Sequence, residues 1–403
     1  MVARRLQTWA QLRPLLRVQP FQLDPVARRL AGAHTVGDLR TLARRRTPRS
    51  VFDYVDGAAE GEVSIRRARR VLRDLELQPS VLRDVGQVDL STTILGTPAA
   101  LPYVLAPTGF TRMMHQAGEV AVARSAQRHG VPYTLSTMGT TSIEALAAAV
   151  PGGRNWFGFY VWKDRAAGED LMTRAREAGY ETLVLTVDVP VGGARLRDNR
   201  NGFTIPPALT ARTILDGAMH PRWWADFLTT EPIRFATFDS WGGTIEELAA
   251  HLFDPTVELD DLAWVREFWD GPLVVKGIQT VADAERVVGA GADAIVLSNH
   301  GGRQLDRAPV PLRLLPDVVQ AVGDRAEVMV DTGFSSGADI VAGIALGASA
   351  VMLGRAYLYG LMAGGERGVD RMHEILTADI LRTLQLLGVR SIAELTPAHV
   401  RLP

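Results

Sequence analysis

From residue 101 onward the chain repeats one unit eight times: a short apolar run rich in β-branched residues, then an amphipathic stretch. The apolar runs are 101–106, 132–136, 156–161, 182–187, 273–276, 294–298, 327–330 and 350–353. Between them, 119–128, 171–178, 281–288 and 338–346 carry apolar residues at helical spacing. Buried strands separated by helices run parallel, and eight such units close into a (β/α)8 barrel. A doubly wound open sheet competes, but it carries a Gly-rich dinucleotide turn after its first strand. Here that turn reads Ala106-Pro107-Thr108-Gly109, which does not fit. The expectation is an α/β fold, a TIM barrel over 96–403 ending in a C-terminal helix. Residues 1–95 are arginine-rich and helical in pattern, with one helix over 36–45 and another ending at Gly57. Their apolar content is thin, so we read them as a helical cap on the barrel, one structural domain overall.

Chemistry in this fold gathers at the C-terminal ends of the strands. In order, those ends carry Pro107-Thr108-Gly109, Ser136, Tyr160, Thr186 with Asp188, Lys276, Ser298 with His300 and Arg303, Asp331 with Gly333, and Gly354-Arg355. All eight are polar or hydrogen-bonding, and they converge on one mouth. The densest is Leu297-Ser298-Asn299-His300-Gly301-Gly302-Arg303, where an apolar strand gives way to an imidazole, two glycines and a guanidinium. An imidazole can take a proton near neutral pH, a guanidinium can grip a carboxylate with two parallel bonds, and glycines let a ligand approach the backbone. The bland alternative, a core histidine beside a surface arginine, does not account for the Asn and Gly-Gly around the pair. The segment 331–339 before a helix, together with Gly354-Arg355, has the form of a phosphate cradle after strands seven and eight.

Of 44 basic residues only Lys163 and Lys276 are lysine. Lys276 ends an apolar strand, where an unpaired charge is costly, so a compact ammonium there suggests a task that a guanidinium cannot perform. The net charge of −1 gives no electrostatic case for nucleic acid, and the absence of cysteine excludes disulfides, thiolate metal sites and a cysteine nucleophile. No metal site is expected. No apolar run approaches the roughly 18–20 residues of a spanning helix. Arg13 and Arg17 interrupt what would be a signal peptide's apolar core, so a cytoplasmic location is expected, with peripheral attachment to the inner face of the membrane left open. About seventy residues separate Asp188 from the helix near 260–269, where roughly two to six are usual. Within this connection, 210–241 mixes aromatic and basic residues, which suits a membrane contact, a lid or an oligomer contact equally.

These residues, taken in order, resemble the FMN-dependent L-2-hydroxy acid oxidising family, which includes glycolate and lactate oxidases, mandelate dehydrogenase and the respiratory L-lactate dehydrogenases. The resemblance runs from about Tyr54 to the C-terminal helix, and 194–203, 220–235 and 354–365 are most similar to the bacterial respiratory lactate enzymes. It implies that FMN is the cofactor and that His300 is the base, oriented by Asp188. It implies that Arg303, with Tyr54 and Arg195, binds the substrate carboxylate, and that Tyr160 bonds the hydroxyl being oxidised. Lys276 would sit at the flavin's pyrimidine edge. Pro107, Thr108, Gly109, Ser136, Thr186, Ser298 and Asp331 would contact the flavin, and Gly333, Gly354 and Arg355 its phosphate end. Homo-oligomers, usually tetramers, are common in the family.

Three departures stand out. Gly158 occupies a position usually held by glutamine, Ser335 one often held by arginine, and Met138 one where some members place tryptophan. The leading expectation is oxidation of L-lactate to pyruvate with electrons passed to a quinone. An oxygen-using oxidase or monooxygenase acting on lactate, glycolate or mandelate-like acids is the alternative, since Gly109 is compatible with both a dehydrogenase and a monooxygenase. A barrel lyase or isomerase with Lys276 as a Schiff-base nucleophile, and a non-catalytic flavin-binding protein, are the remaining readings.

Overall fold

Alternation along eight short strands decides which side chains enter the centre of the molecule. The computed structural model describes residues 6–15, 22–202, 211–238 and 254–403. Its strands β1 (Tyr103–Leu105), β2 (Tyr133–Ser136), β3 (Asn155–Phe159), β4 (Thr182–Thr186), β5 (Leu273–Ile278), β6 (Ala294–Leu297), β7 (Glu327–Val330) and β8 (Ala350–Leu353) form a closed parallel barrel. Each pairs with the next in sequence, and β8 returns to β1 with Leu353 opposite Leu105. The expected TIM barrel is therefore the observed fold, with strand positions that agree to within two residues at either end.

Successive side chains on a strand point to opposite faces. Val104, Trp156, Val184, Val274, Val296, Met329 and Met352 form one buried cluster inside the barrel. Two residues further on, the same face presents Ala106, Gly158, Thr186, Lys276, Ser298, Asp331 and Gly354. The polar layer at the mouth thus follows from the apolar layer beneath it. Leu105, Leu135, Phe157, Leu183, Val275, Leu297 and Val330 point the other way, into the larger core under the helices. Those helices start on side-chain caps: Ser142, Asp164, Thr280 and Ser336 each accept from a backbone N–H in the first turn.

The other end of the barrel is closed by a hairpin, Thr92–Ile94 with Thr97–Ala99, which the sequence reading did not anticipate. Ile94 and Ala99 belong to the same buried cluster as Trp156. Each of its strands has only three residues and one inward apolar side chain, too short a pattern to show period two. Residues 76–77 also pair with 400–401, tying the N-terminal portion to the chain's end.

Before the barrel come helices Val36–Arg46, Arg49–Asp56 and Val63–Asp74. Asp56 is buried and accepts from Arg40 Nε at 2.6 Å and from the Tyr359 hydroxyl at 2.8 Å. Arg355, at the start of the helix after β8, donates to the carbonyls of Val55 and Gly57, both at 2.8 Å. These bonds fix Tyr54 over the mouth. In the long connection after β4, helices Leu196–Asn201, Ala211–Ala218 and Pro221–Thr229 are seen. Residues 203–210 and 239–253 lie outside the described residues, so the expectation for 210–241 is followed only through 211–238.

Trp156 is fully buried at the barrel's centre. Trp156→Ala is expected to reduce unfolding free energy by about 3–5 kcal/mol, read from urea denaturation; a loss under about 1 kcal/mol would contradict its place as the central packing residue.

Candidate active site

The mouth of the barrel holds a cavity into which most strand ends project. Its walls include Pro107, Thr108, Gly109, Ser136, Tyr160, Arg195, Lys276, His300, Arg303, Asp331, Gly333, Gly354 and Arg355, with Tyr54 from the N-terminal portion. Residues up to 300 positions apart in the chain thus share one space.

The lysine's surroundings are built by three adjacent strands. Lys276 Nζ donates to Ser298 Oγ at 3.0 Å and lies 3.3 Å from Asp331 Oδ2, while Ser298 Oγ donates to the same carboxylate oxygen at 2.8 Å. Burial lowers the pKa of this ammonium, but Asp331, Asp188 and Tyr160 outweigh it and hold the pKa above the ordinary lysine value. The strand is bulged just past the lysine, with Lys276 opposite Val296 and Ile278 opposite Leu297. Gly277 takes up the bulge at φ +114°, and a Cβ there would come within 2.7 Å of Asp188 Cβ. Only glycine lets the carboxylate close on the mouth in this way.

His300 Nδ1 lies 2.9 Å from Asp188 Oδ1. The Asp188 side chain is 1% exposed, whereas that of His300 keeps 22% exposure toward the cavity. Burial would raise the pKa of Asp188, but His300 and Lys276 bring it below the ordinary carboxylate value. For His300 burial wins: its pKa is lowered despite Asp188, with Lys276 and Arg303 acting in the same direction. The imidazole is thus neutral at pH 7, its Nδ1–H facing the carboxylate and Nε2 free to accept a proton. His300 itself sits at φ +57°, followed by Gly301 and Gly302 at positive φ, so a left-handed turn throws the ring over the mouth. Ser298 Oγ accepts from His300 N at 3.0 Å, and Asn299 Oδ1 accepts from Gly302 N at 2.9 Å.

Opposite the imidazole are two cations. Arg303 donates to the Tyr54 carbonyl and lies 4.8 Å from the Tyr54 ring centroid, and Arg195 lies 5.7 Å from the same ring. Burial, with Arg195 adding to it, pushes the Arg303 pKa down to about 9. Arg195 Nε and Asp188 Oδ2 are buried without a hydrogen-bond partner among the described residues. Two crowded guanidiniums with a spare donor describe a place for a carboxylate. Tyr160 is pushed up to about 12, by burial first and Asp188 second, so its hydroxyl is a donor at all working pH values.

Not every expected site residue lies on this wall. Thr186 and Asp188 line a neighbouring cavity on the far side of Tyr160, and Ser298 is buried beneath the mouth. The expected cradle at 331–339 is altered as well: the amides of Ser335 and Ser336 donate to Asp339 Oδ2 at 2.8 and 2.9 Å, because Ser336 and Asp339 form a capping box. Gly158 has a local cause, since a Cβ there would fall 2.8 Å from Pro107 Cβ. The sequence reading missed Arg69 and Thr332, which line the cavity too. For Arg69 a signal existed, its place one turn after Ile65 on the apolar face of an arginine-rich helix. For Thr332, at φ +75°, none did.

Known proteins resemble this chain over most of its length. The sequence model of the FMN-dependent dehydrogenase family matches residues 43–402. A Mycobacterium tuberculosis protein, provisionally named as an L-lactate dehydrogenase, is 57% identical over 99% of this chain and 96% of its own length. The L-lactate dehydrogenase of Pectobacterium atrosepticum is 42% identical over 89% of this chain and 94% of its own. Among solved structures, an (S)-mandelate dehydrogenase described as a monotopic membrane protein superposes with a TM-score of 0.89 at 39% identity, covering 92% of this chain and all of the other. This chain is a member of the FMN-dependent dehydrogenase family, an oxidoreductase that uses FMN.

Proposed function

We propose that this protein oxidises a small L-2-hydroxy acid, L-lactate to pyruvate in the first instance, and passes the electrons to a quinone-type acceptor. The observation that carries the reading is the His300–Asp188 pair at 2.9 Å, facing Arg303 and Arg195 across the cavity that also holds Lys276. The names of the lactate dehydrogenase relatives support the choice of acid.

The residues present fit a flavin. A buried ammonium stands at one side of the cavity, and a Cβ on Gly354 would meet nothing nearer than Thr108 Cγ2 at 3.9 Å, so that wall is open to a ligand. Pro107, Thr108, Gly109, Ser136 and Lys276 would hold the ring system, with Gly333, Gly354 and Arg355 toward the phosphate. Bound there, FMN supplies a two-electron acceptor for the substrate's α-carbon. Arg303 and Arg195 bind the substrate carboxylate, and the Tyr160 hydroxyl donates to the substrate oxygen. His300 Nε2 takes one proton from the substrate, and Asp188 stabilises the imidazolium that results. Lys276 offsets negative charge at its side of the cavity as it develops. One proton thus goes to His300, the electron pair and the second proton would go to the FMN held in the cavity, and lactate becomes pyruvate.

The long connection bears on the acceptor. Trp223 Nε1 donates to the Met113 carbonyl at 2.9 Å and stacks on Trp224 and Phe227, docking the helix Pro221–Thr229 on the short helix Thr111–Met114 that follows β1. Leu215, Met219 and Leu228 are each about 70% exposed or more. Among the described residues no helix is long and apolar enough to cross a membrane. We read this patch as a peripheral contact with the inner face of the membrane, where a quinone is met, in a protein that assembles as a homo-oligomer, a tetramer on the analogy of its family. The monotopic mandelate dehydrogenase supports that reading.

Anaerobic addition of L-lactate should bleach the bound flavin, and a quinone should restore it faster than air does; rapid reoxidation by air alone would favour an oxidase. Because the neutral imidazole is the active form, kcat/KM should fall as pH drops through a pKa below 6.5, the ordinary histidine value. His300→Ala should cost at least about 10²-fold in kcat with flavin retained, and an acid limb above that value would contradict the assignment of His300. Replacing Leu215, Met219 and Leu228 together by glutamate should move the protein from the membrane to the soluble fraction while turnover with a soluble dye persists. Loss of dye turnover with unchanged fractionation would mark the patch as a lid, and a changed subunit count as an oligomer contact.

A further inference from the structure

Helix Val63–Asp74 buries Ile65, Ala68 and Leu72 against the barrel. Arg69 lies on the same side, one turn after Ile65, and its side chain joins Gly333, Ser335, Gly354 and Arg355 in the wall of the active-site cavity. The chain's other buried or half-buried arginines are mostly spoken for: Arg40 pairs with Asp56, and Arg197 with Asp53, Asp56 and Glu62. Arg69 has no hydrogen-bond or ion-pair partner among the described residues.

Several other donors at this end are already engaged. Asp339 occupies the amides of Ser335 and Ser336. Arg355 spends Nε and Nη2 on the carbonyls of Val55 and Gly57, and its Nη1 packs so closely on Gly301 that a Cβ there would come within 2.5 Å. Burial chiefly, with the charge of Arg69 acting in the same direction, lowers the Arg355 pKa. Asp56, which attracts Arg355, is committed to Arg40 and Arg197. Two guanidiniums therefore face one end of a cavity with no carboxylate of the described residues in ion-pair range of either.

We propose that Arg69 is a ligand of the FMN phosphate, supplied by the N-terminal helices and meeting the anion together with Arg355. A phosphate monoester carries a charge near −2 and three acceptor oxygens, which matches the two cations and the unspent donors of Arg69. The assignment rests on flavin occupying this cavity, as family membership implies. It makes the segment before the barrel part of the cofactor site, and it explains how a chain with serine at 335 can still meet the phosphate with two positive charges.

The test is a titration of the full-length protein, stripped of flavin, with FMN and with riboflavin, which lacks the phosphate; quenching of flavin fluorescence reports binding. Arg69→Gln should weaken FMN binding by about 10- to 100-fold and leave riboflavin unchanged, with Arg69→Lys in between. Unchanged FMN affinity in either variant, or equal losses of FMN and riboflavin, would overturn the assignment. If the unaltered protein failed to take up FMN at all, the flavin reading of the cavity would fall instead.

Discussion

A single buried ammonium organises the mouth of this barrel. Lys276 is almost fully enclosed, and a charge in that position is sustainable only because Asp331 and Ser298 meet it from the two strands that follow. Lys276 lies in β5, and Ser298 and Asp331 directly follow β6 and β7, so the ion pair also fixes the relative height of those strands. The serine that completes the network accepts from the backbone of His300. The placement of the imidazole, the bulge at Gly277 and the close approach of Asp188 all depend on that arrangement.

The turn that carries the imidazole is held against its own backbone preference. His300 and Thr332 both lie in the left-handed region, at φ +57° and +75°, which costs each about 1–2 kcal/mol and is harder on a β-branched residue. The surrounding bonds over-determine them. Thr332 Oγ1 lies 2.9 Å from Asn299 Oδ1 and accepts from Gly301 N at 3.2 Å, while Asn299 Nδ2 donates to the Pro309 carbonyl at 3.0 Å. The imidazole thus sits on a rigid turn, where its pKa is set by fixed neighbours and not by a moving loop.

Much of this was legible from residue order. Strand positions followed from eight apolar runs because buried parallel strands show apolar residues continuously, and the period of two then sent the residue two places beyond each interior apolar side chain into the mouth. His300, Asp188, Lys276 and Arg303 could be singled out because each breaks an apolar pattern at a strand end. Other features had no such mark. The hairpin Thr92–Ile94 with Thr97–Ala99 is too short to show a pattern. Asp339 reads equally well as a helix cap and as part of a phosphate loop, and only its 2.8 Å bond from Ser335 N decides between them. Thr186 ends its strand as expected yet lines the next cavity, because Tyr160 stands between.

What the residue order determined by itself is the barrel, the set of polar strand ends and the kind of chemistry they can support, since periodicity and side-chain type are local properties. What only the tertiary structure decided is which charges are paired and which are spare. Arg69 is one of five arginines between 66 and 73, and its spacing from Ile65 puts it on the apolar face without saying what it meets there. It acquires a distinct environment because packing of Ile65 and Leu72 turns it toward the end of the cavity where the Ser335 and Ser336 amides and two nitrogens of Arg355 are already bonded, and that depends on distances across the fold.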